Sequence, residues 1–160
     1  MAIAADNVTA LVLELAKREQ TLAVAESLTG GLLCSTLVDV PGVSKVLRGG
    51  VVVYATDLKT VLAGVPEDLL SERGAVDPDV AIALARGVRE RCRADWGLAT
   101  TGVAGPDPQD GVAVGTVFVA VADAEDALVR RLALSGDREA IRTGAVAAGL
   151  DLLAHRLGPP

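Results

Sequence analysis

Thr21-Leu22-Ala23-Val24-Ala25-Glu26-Ser27-Leu28-Thr29-Gly30-Gly31 is a short apolar run that breaks into a polar turn closed by two glycines. A second apolar run, residues 32–40, follows it. This order predicts a strand over 21–25, a sharp turn, and a helix over 29–40, with Pro41-Gly42 as the next turn. A serine in such a turn sits at the mouth of a sheet, beside the free backbone N–H groups of a new helix. That position suits a nucleophile, an anion site, or both.

The same alternation continues on either side. Val8, Leu11, Val12 and Leu15 share one face of a first helix, for which Asn7 is a suitable cap. Val51-Val52-Val53-Tyr54 is β-branched and reads as a central strand within 46–55. Short helices are expected over 57–63, with Gly64 as a stop, and over 66–72. Asp77-Pro78 opens a helix to about Arg93, pairing a capping carboxylate with proline at the first position. A strand over 96–101 leads into a Gly/Pro/Asp-rich loop at 102–113. Strands over 114–122 and 127–134 then form an antiparallel hairpin. Asp137 caps a last helix to about Leu157, whose Gly144, Ala145, Ala147, Ala148 and Gly149 give a small face for close packing. The final Gly-Pro-Pro reads as a loose tail. The expected fold is α/β: a three-layer α/β/α sandwich with a mixed, mostly parallel sheet, forming one domain over the 160 residues.

Bulk properties narrow the function. Aromatic residues are 2% of the chain, so Ala, Val and Leu must build the core. The net charge of −6 argues against general binding to nucleic acid or anionic membranes, and any anionic substrate needs a local basic patch. Cys34 and Cys92 fall in separate predicted helices, and with a single histidine they make no zinc site. Buried reduced thiols are expected. Asp6 and Asn7 interrupt any signal-like start, and no apolar run reaches membrane-spanning length. A soluble, cytoplasmic protein is expected.

Three polar, glycine-bearing loops should meet at the C-terminal ends of strands, where open α/β sheets bind ligands: 26–31, 54–59 and 101–105. Ser27 is either a helix cap or a nucleophile, and Thr29 could cap equally well. Glu26 either orients a lysine or balances the helix N-terminus. Gly30 and Gly31 serve either close backbone approach to a ligand or a plain tight turn. A nucleophilic serine needs a base. His155 lies near the end of the last helix, beside Arg156, which disfavours a Ser-His-Asp arrangement and leaves lysine as the main alternative. Of the three lysines, Lys17 and Lys45 read as solvated. Lys59 is a cation near a helix N-terminus, an unfavourable place, which is explained if it points into water or faces Ser27 partly desolvated. To act as a base its pKa must fall by roughly three units. Burial and the helix end push it down, whereas Glu26 or Asp57 nearby would push it up. Tyr54 is either a strand-end aromatic with a wet hydroxyl or a residue that relays a proton or stacks on a ring. The Thr100–Pro106 loop is not a Walker A loop. Arg138 and Arg142, one turn apart near the start of the last helix, either pair on the surface or clamp a phosphate.

Taken in order, Glu26-Ser27-Leu28-Thr29-Gly30-Gly31, Tyr54 followed by Lys59, Thr101-Gly102-Val103-Ala104-Gly105-Pro106, Val114-Gly115-Thr116-Val117 and Gly136-Asp137-Arg138 resemble the CinA C-terminal domain family. That family includes the nicotinamide-nucleotide amidohydrolases. The resemblance spans about residues 7–157. It implies a stand-alone α/β/α domain that hydrolyses nicotinamide mononucleotide to nicotinate mononucleotide and ammonia in pyridine nucleotide recycling. No metal or cofactor is implied, and a homodimer or larger homo-oligomer is. By motif position, Ser27 is the nucleophile, Lys59 its base or shuttle, Tyr54 a neighbour, and Thr101 a hydroxyl donor. Glu26 and Thr29, beside the nucleophile, are counted with the substrate-binding residues, and backbone amides of 29–31 hold the oxyanion. Gly30, Gly31, Gly102 and Gly105 let backbone approach the nucleotide, and Arg138 or Arg142 meets the phosphate. Two departures stand out: Leu28 replaces a cysteine common in the family, and 107–113 lacks its Lys-Pro pair. The alternative from another class is a catalytically silent nucleotide-binding regulatory module. A purely structural oligomer subunit leaves the three loops without a role.

Overall fold

The computed structural model describes residues 5–158. The helices are α1 (Ala5–Lys17), α2 (Leu32–Val38), α3 (Thr56–Ala63), α4 (Glu67–Arg73), α5 (Pro78–Cys92) and α6 (Arg138–Leu157), and a 3-10 turn covers Val43–Lys45. The strands are β1 (Leu22–Glu26), β2 (Leu47–Val52), β3 (Trp96–Gly102), β4 (Thr116–Ala122) and β5 (Ala127–Ala133). They form one sheet in the order β2-β1-β3-β4-β5. β1 pairs in parallel with β2 and β3, whereas β4 is antiparallel to both β3 and β5. Four strands therefore run one way and β4 alone opposes, which gives the mixed, mostly parallel sheet.

Period-two alternation divides the core between the two faces. Leu22 and Val24 of β1, with Val117, Val119 and Val121 of β4, pack against α1, α2 and α6. Ala23 and Ala25, with Phe118, Ala120 and Ala122, pack against α3, α4 and α5. The shortage of aromatics is met by close approach. A Cβ on Gly97 of β3 would lie 1.9 Å from the Ala85 carbonyl oxygen of α5, so no larger residue fits there. On the opposite face, a Cβ on Gly149 of α6 would come 3.4 Å from Leu98. The small face of α6 does bring it close to the sheet.

Four local expectations are corrected. α1 is already helical at Ala5, so Asn7 lies inside it and is not its cap. α2 starts at Leu32 rather than Thr29, because positive-φ glycines occupy 30 and 31. β2 is an edge strand whose residues alternate between half-buried and exposed; β-branching reports fit to a half-buried pleat, not a central position. Cys34 and Cys92 are free but half-buried rather than buried. Asp77 and Asp137 cap α5 and α6 as expected, accepting from Val80 and Ala140 amides among others. Of the tail expected at 158–160, Pro159 and Pro160 lie outside the described residues. No helix among the described residues is long and apolar enough to cross a membrane.

Candidate active site

β1 is flanked by two parallel neighbours, so three strands deliver their C-terminal ends to one rim. The ladder continues one residue past the strands. The Ser27 amide donates to the Thr100 carbonyl at 3.1 Å, and the Val53 amide donates to the Glu26 carbonyl at 2.8 Å. Ser27 and Val53 are thus fixed side by side. The turn between β1 and α2 is held from within. The Glu26 carboxylate, buried, accepts from the amides of Leu33 at 2.8 Å and Cys34 at 3.0 Å. It balances the start of α2 and does not face the cavity, so the helix reading of Glu26 holds and the lysine reading does not. The Thr29 hydroxyl pairs with that of Thr100 at 2.8 Å instead of capping α2, whose N-cap, Gly31, carries no side-chain cap. Gly30 and Gly31 have φ of 56° and 101° and do not line the cavity; they serve the tight turn.

Ser27 is not a helix cap either. Its hydroxyl lies 3.2 Å from Lys59 Nζ. Lys59 is the largest fully buried side chain, 1% exposed, and its amine reaches back under the first turn of α3. The other groups around Nζ are backbone carbonyls, Val53 at 2.7 Å and Tyr54 at 3.5 Å. No carboxylate pairs with the amine among the described residues. Burial alone lowers its pKa from 10.5 to about 8; neither Glu26 nor Asp57 opposes the shift.

Three acceptor oxygens match the three N–H donors of an ammonium, one of which donates to the Ser27 hydroxyl. Loss of one proton leaves two N–H bonds for the carbonyls and a lone pair for the Ser27 hydroxyl proton. Two pH effects follow. If neutral Lys59 is the base, kcat/KM rises with pH below about 8 and levels above it. Stability follows the linkage of a lysine whose folded pKa is depressed. Between pH 8 and 10.5 the unfolded chain binds more protons at this residue, so stability climbs across that window. A thermal-melting series at these pH values should show a rise that Lys59→Met lacks.

The cavity measures about 100 Å³ and opens at the rim; Ser27, Lys59, Thr101, Tyr54 and Arg138 all line it. Thr101, 1% exposed, donates its hydroxyl proton to the Ala75 carbonyl at 2.6 Å. It therefore offers lone pairs to the cavity and is an acceptor there, not a donor. The exposed Tyr54 phenol lies 2.9 Å from an Arg138 nitrogen and meets Lys59 only through its carbonyl. A relay through that hydroxyl is not needed, since Lys59 reaches Ser27 directly. Arg138 also donates to the Gly105 carbonyl. Arg142 is absent from the cavity wall. Its guanidinium binds the Leu28 and Thr29 carbonyls, at 3.0 and 2.9 Å, so the two arginines do not form a clamp. Gly102 lines the cavity, but its missing side chain is accounted for by β4: a Cβ would lie 2.7 Å from the Thr116 carbonyl oxygen.

Of the 29–31 amides expected at the oxyanion, that of Gly30 is taken: it donates to the Ser27 carbonyl at 3.1 Å. Because C=O and N–H point opposite ways across a trans peptide, the Leu28 N–H of that same unit faces away from the turn. It has no acceptor among the described residues, and Leu28 lines the cavity. Asp107 and Gln109 also line the wall and were not singled out in the sequence. Their only signal was membership of the 102–113 loop.

A three-layer α/β/α domain with a serine and a buried lysine at the shared rim of its parallel strands is the class defined by fold and site. The profile of the CinA C-terminal domain matches residues 5–157, and the chain belongs to that family. A CinA-like protein of Frankia casuarinae is 50% identical over 153 residues, covering 95% of this chain and 35% of that protein. One from Acidobacterium capsulatum is 47% identical over 141 residues, 88% of this chain and 34% of that protein. The chain thus spans about a third of the length of these curated relatives. The crystal structure of a competence-damaged protein (CinA) superfamily protein from Enterobacter cloacae superposes with a TM-score of 0.94 at 29% identity, covering 99% of this chain and 94% of that one. Its counterpart from Escherichia coli gives 0.89 at 32% identity, covering 92% and 87%.

Proposed function

We propose that this chain hydrolyses the carboxamide of nicotinamide mononucleotide to nicotinate mononucleotide and ammonia through a serine acyl-enzyme. The observation that carries the reading is the buried Lys59 amine, without a carboxylate partner, 3.2 Å from the Ser27 hydroxyl. Neutral Lys59 takes the hydroxyl proton as Ser27 Oγ attacks the carboxamide carbon. The Leu28 N–H meets the developing oxyanion, and Thr101 Oγ1 accepts from the substrate NH2 group. The C–N bond breaks and the Lys59 proton leaves with ammonia. Water then attacks the acyl ester, Lys59 takes one of its protons and returns it to Ser27 Oγ as the ester C–O bond breaks, and the acid product departs, giving its remaining proton to solvent as it ionises. The ring end of the substrate enters the cavity, and its phosphate meets Arg138 at the rim.

The test is ammonia release from a panel containing nicotinamide mononucleotide, its riboside, nicotinamide and simple amides. Turnover is expected with the mononucleotide first. Arg138→Gln is expected to raise KM for it about 10- to 100-fold, the value of a charge-assisted hydrogen bond, with kcat changed far less. The riboside, which lacks the phosphate, should not sense the substitution. Nucleotide binding with no ammonia release would assign the chain to the silent binding module instead.

A further inference from the structure

We infer that Arg142 is a positioning residue for the nucleophile turn, setting the reactivity of Ser27 without touching substrate. This rests on Ser27 being the nucleophile of the proposed reaction. Arg142 sits in the second turn of α6, half-buried, and is not among the residues that line the cavity with Ser27. Its Nε donates to the Leu28 carbonyl at 3.0 Å and its Nη2 to the Thr29 carbonyl at 2.9 Å. These carbonyls belong to the second and third peptide units after Ser27; the first, which carries the Leu28 N–H, is held by the Gly30 amide on the Ser27 carbonyl. No carboxylate pairs with this guanidinium among the described residues.

The arrangement compensates for a weakness in the turn. Residues 27–31 have no helical ladder, two of them are glycines, and no side chain of the turn itself caps α2, whose amides Glu26 serves from β1. A planar fork that holds adjacent carbonyls fixes the rotation of both peptide planes, which a lysine point charge cannot do. Fixing those planes holds the far side of the turn, and through the Gly30 amide on the Ser27 carbonyl it sets the Ser27–Leu28 unit relative to Lys59. One helical turn earlier, Arg138 holds the Gly105 carbonyl and the Tyr54 hydroxyl on the rim. The start of α6 thereby sets the register of all three loops, with separate arginines for the nucleophile and for the mouth.

The experiment compares the parent with Arg142→Met, Arg142→Lys and Arg142→Ala, all well below their melting temperatures. Arg142→Met should lose about 100-fold in kcat, the scale of a small misplacement of reacting groups, with KM within about threefold. Arg142→Lys should recover only part of the loss. Millimolar guanidinium, but not equal sodium chloride, should restore turnover in Arg142→Ala. The pH at which the rate levels should not move, since Lys59 is untouched. A second readout needs no amide substrate: the rate at which a fluorophosphonate labels Ser27 should fall in parallel. Unchanged kcat and labelling in folded Arg142→Met overturn the inference while leaving the amidase reading intact. Labelling that falls in Arg142→Met of a parent that releases no ammonia sustains the inference and removes the amidase reading. A parent that is neither labelled nor active overturns both.

Discussion

Ser27→Ala is expected to abolish ammonia release from nicotinamide mononucleotide, lowering kcat by about 10⁴-fold or more, because orientation and oxyanion binding alone leave only a small residue of rate. The fold should not change. Ser27 is pinned by backbone bonds, its amide to Thr100 and its carbonyl to Gly30, and both survive in alanine. The Lys59 amine keeps its Val53 and Tyr54 carbonyls. Stability should therefore shift by about 1 kcal/mol or less, the net worth of one hydrogen bond. Nucleotide affinity, measured by calorimetry, should stay within a few-fold, since the rim residues remain. Full activity in this variant would remove the acyl-enzyme.

Lys59→Met should be nearly as severe, with kcat down by about 10³- to 10⁴-fold, toward the upper range for loss of a positioned base. Methionine matches the unbranched stem and removes the amine. It relieves burial of an ionisable group but leaves the Val53 carbonyl without its 2.7 Å donor, two effects of opposite sign. The melting temperature at pH 7 should consequently move by only a few degrees. Lys59→Arg separates base from cation. A guanidinium stays charged, so it cannot take the Ser27 proton, and its planar fork does not fit the pyramidal set of three oxygens. Activity retained in Lys59→Arg would mean that the cation alone is what the site requires.

Lys59 was legible because its sequence position is electrostatically wrong: a cation in the first turn of a helix behind a strand. The structure resolves the conflict by burying the amine beneath that turn. Ser27 was legible by elimination, as a polar residue in a strand-to-helix turn with a second capping candidate nearby. The cap went to neither hydroxyl. Glu26 satisfies the α2 amides from the end of β1, a contact across seven and eight residues that no local capping rule contains. Arg138 and Arg142 share one helix face and differ only by a turn. Which faces the rim and which grips the Ser27 turn depends on where α6 begins relative to the Gly105 loop, a tertiary fact. The direction of the Thr101 hydroxyl is likewise set by Ala75, 26 residues away. Asp107 and Gln109 reach the wall through the path of an irregular loop, which residue periodicity does not encode. The Val51–Val53 run marked a strand correctly, but an edge and a centre differ in neighbours rather than in propensity.

The most direct measurement is an NMR titration of the side chains in protein labelled at lysine Cε. Only Lys17, Lys45 and Lys59 contribute, and the first two are exposed, so assignment by Lys59→Met is simple. One resonance should titrate near pH 8, vanish in Lys59→Met, and shift in Ser27→Ala. A Lys59 resonance titrating near the ordinary lysine value would contradict the buried amine on which the proposed chemistry depends.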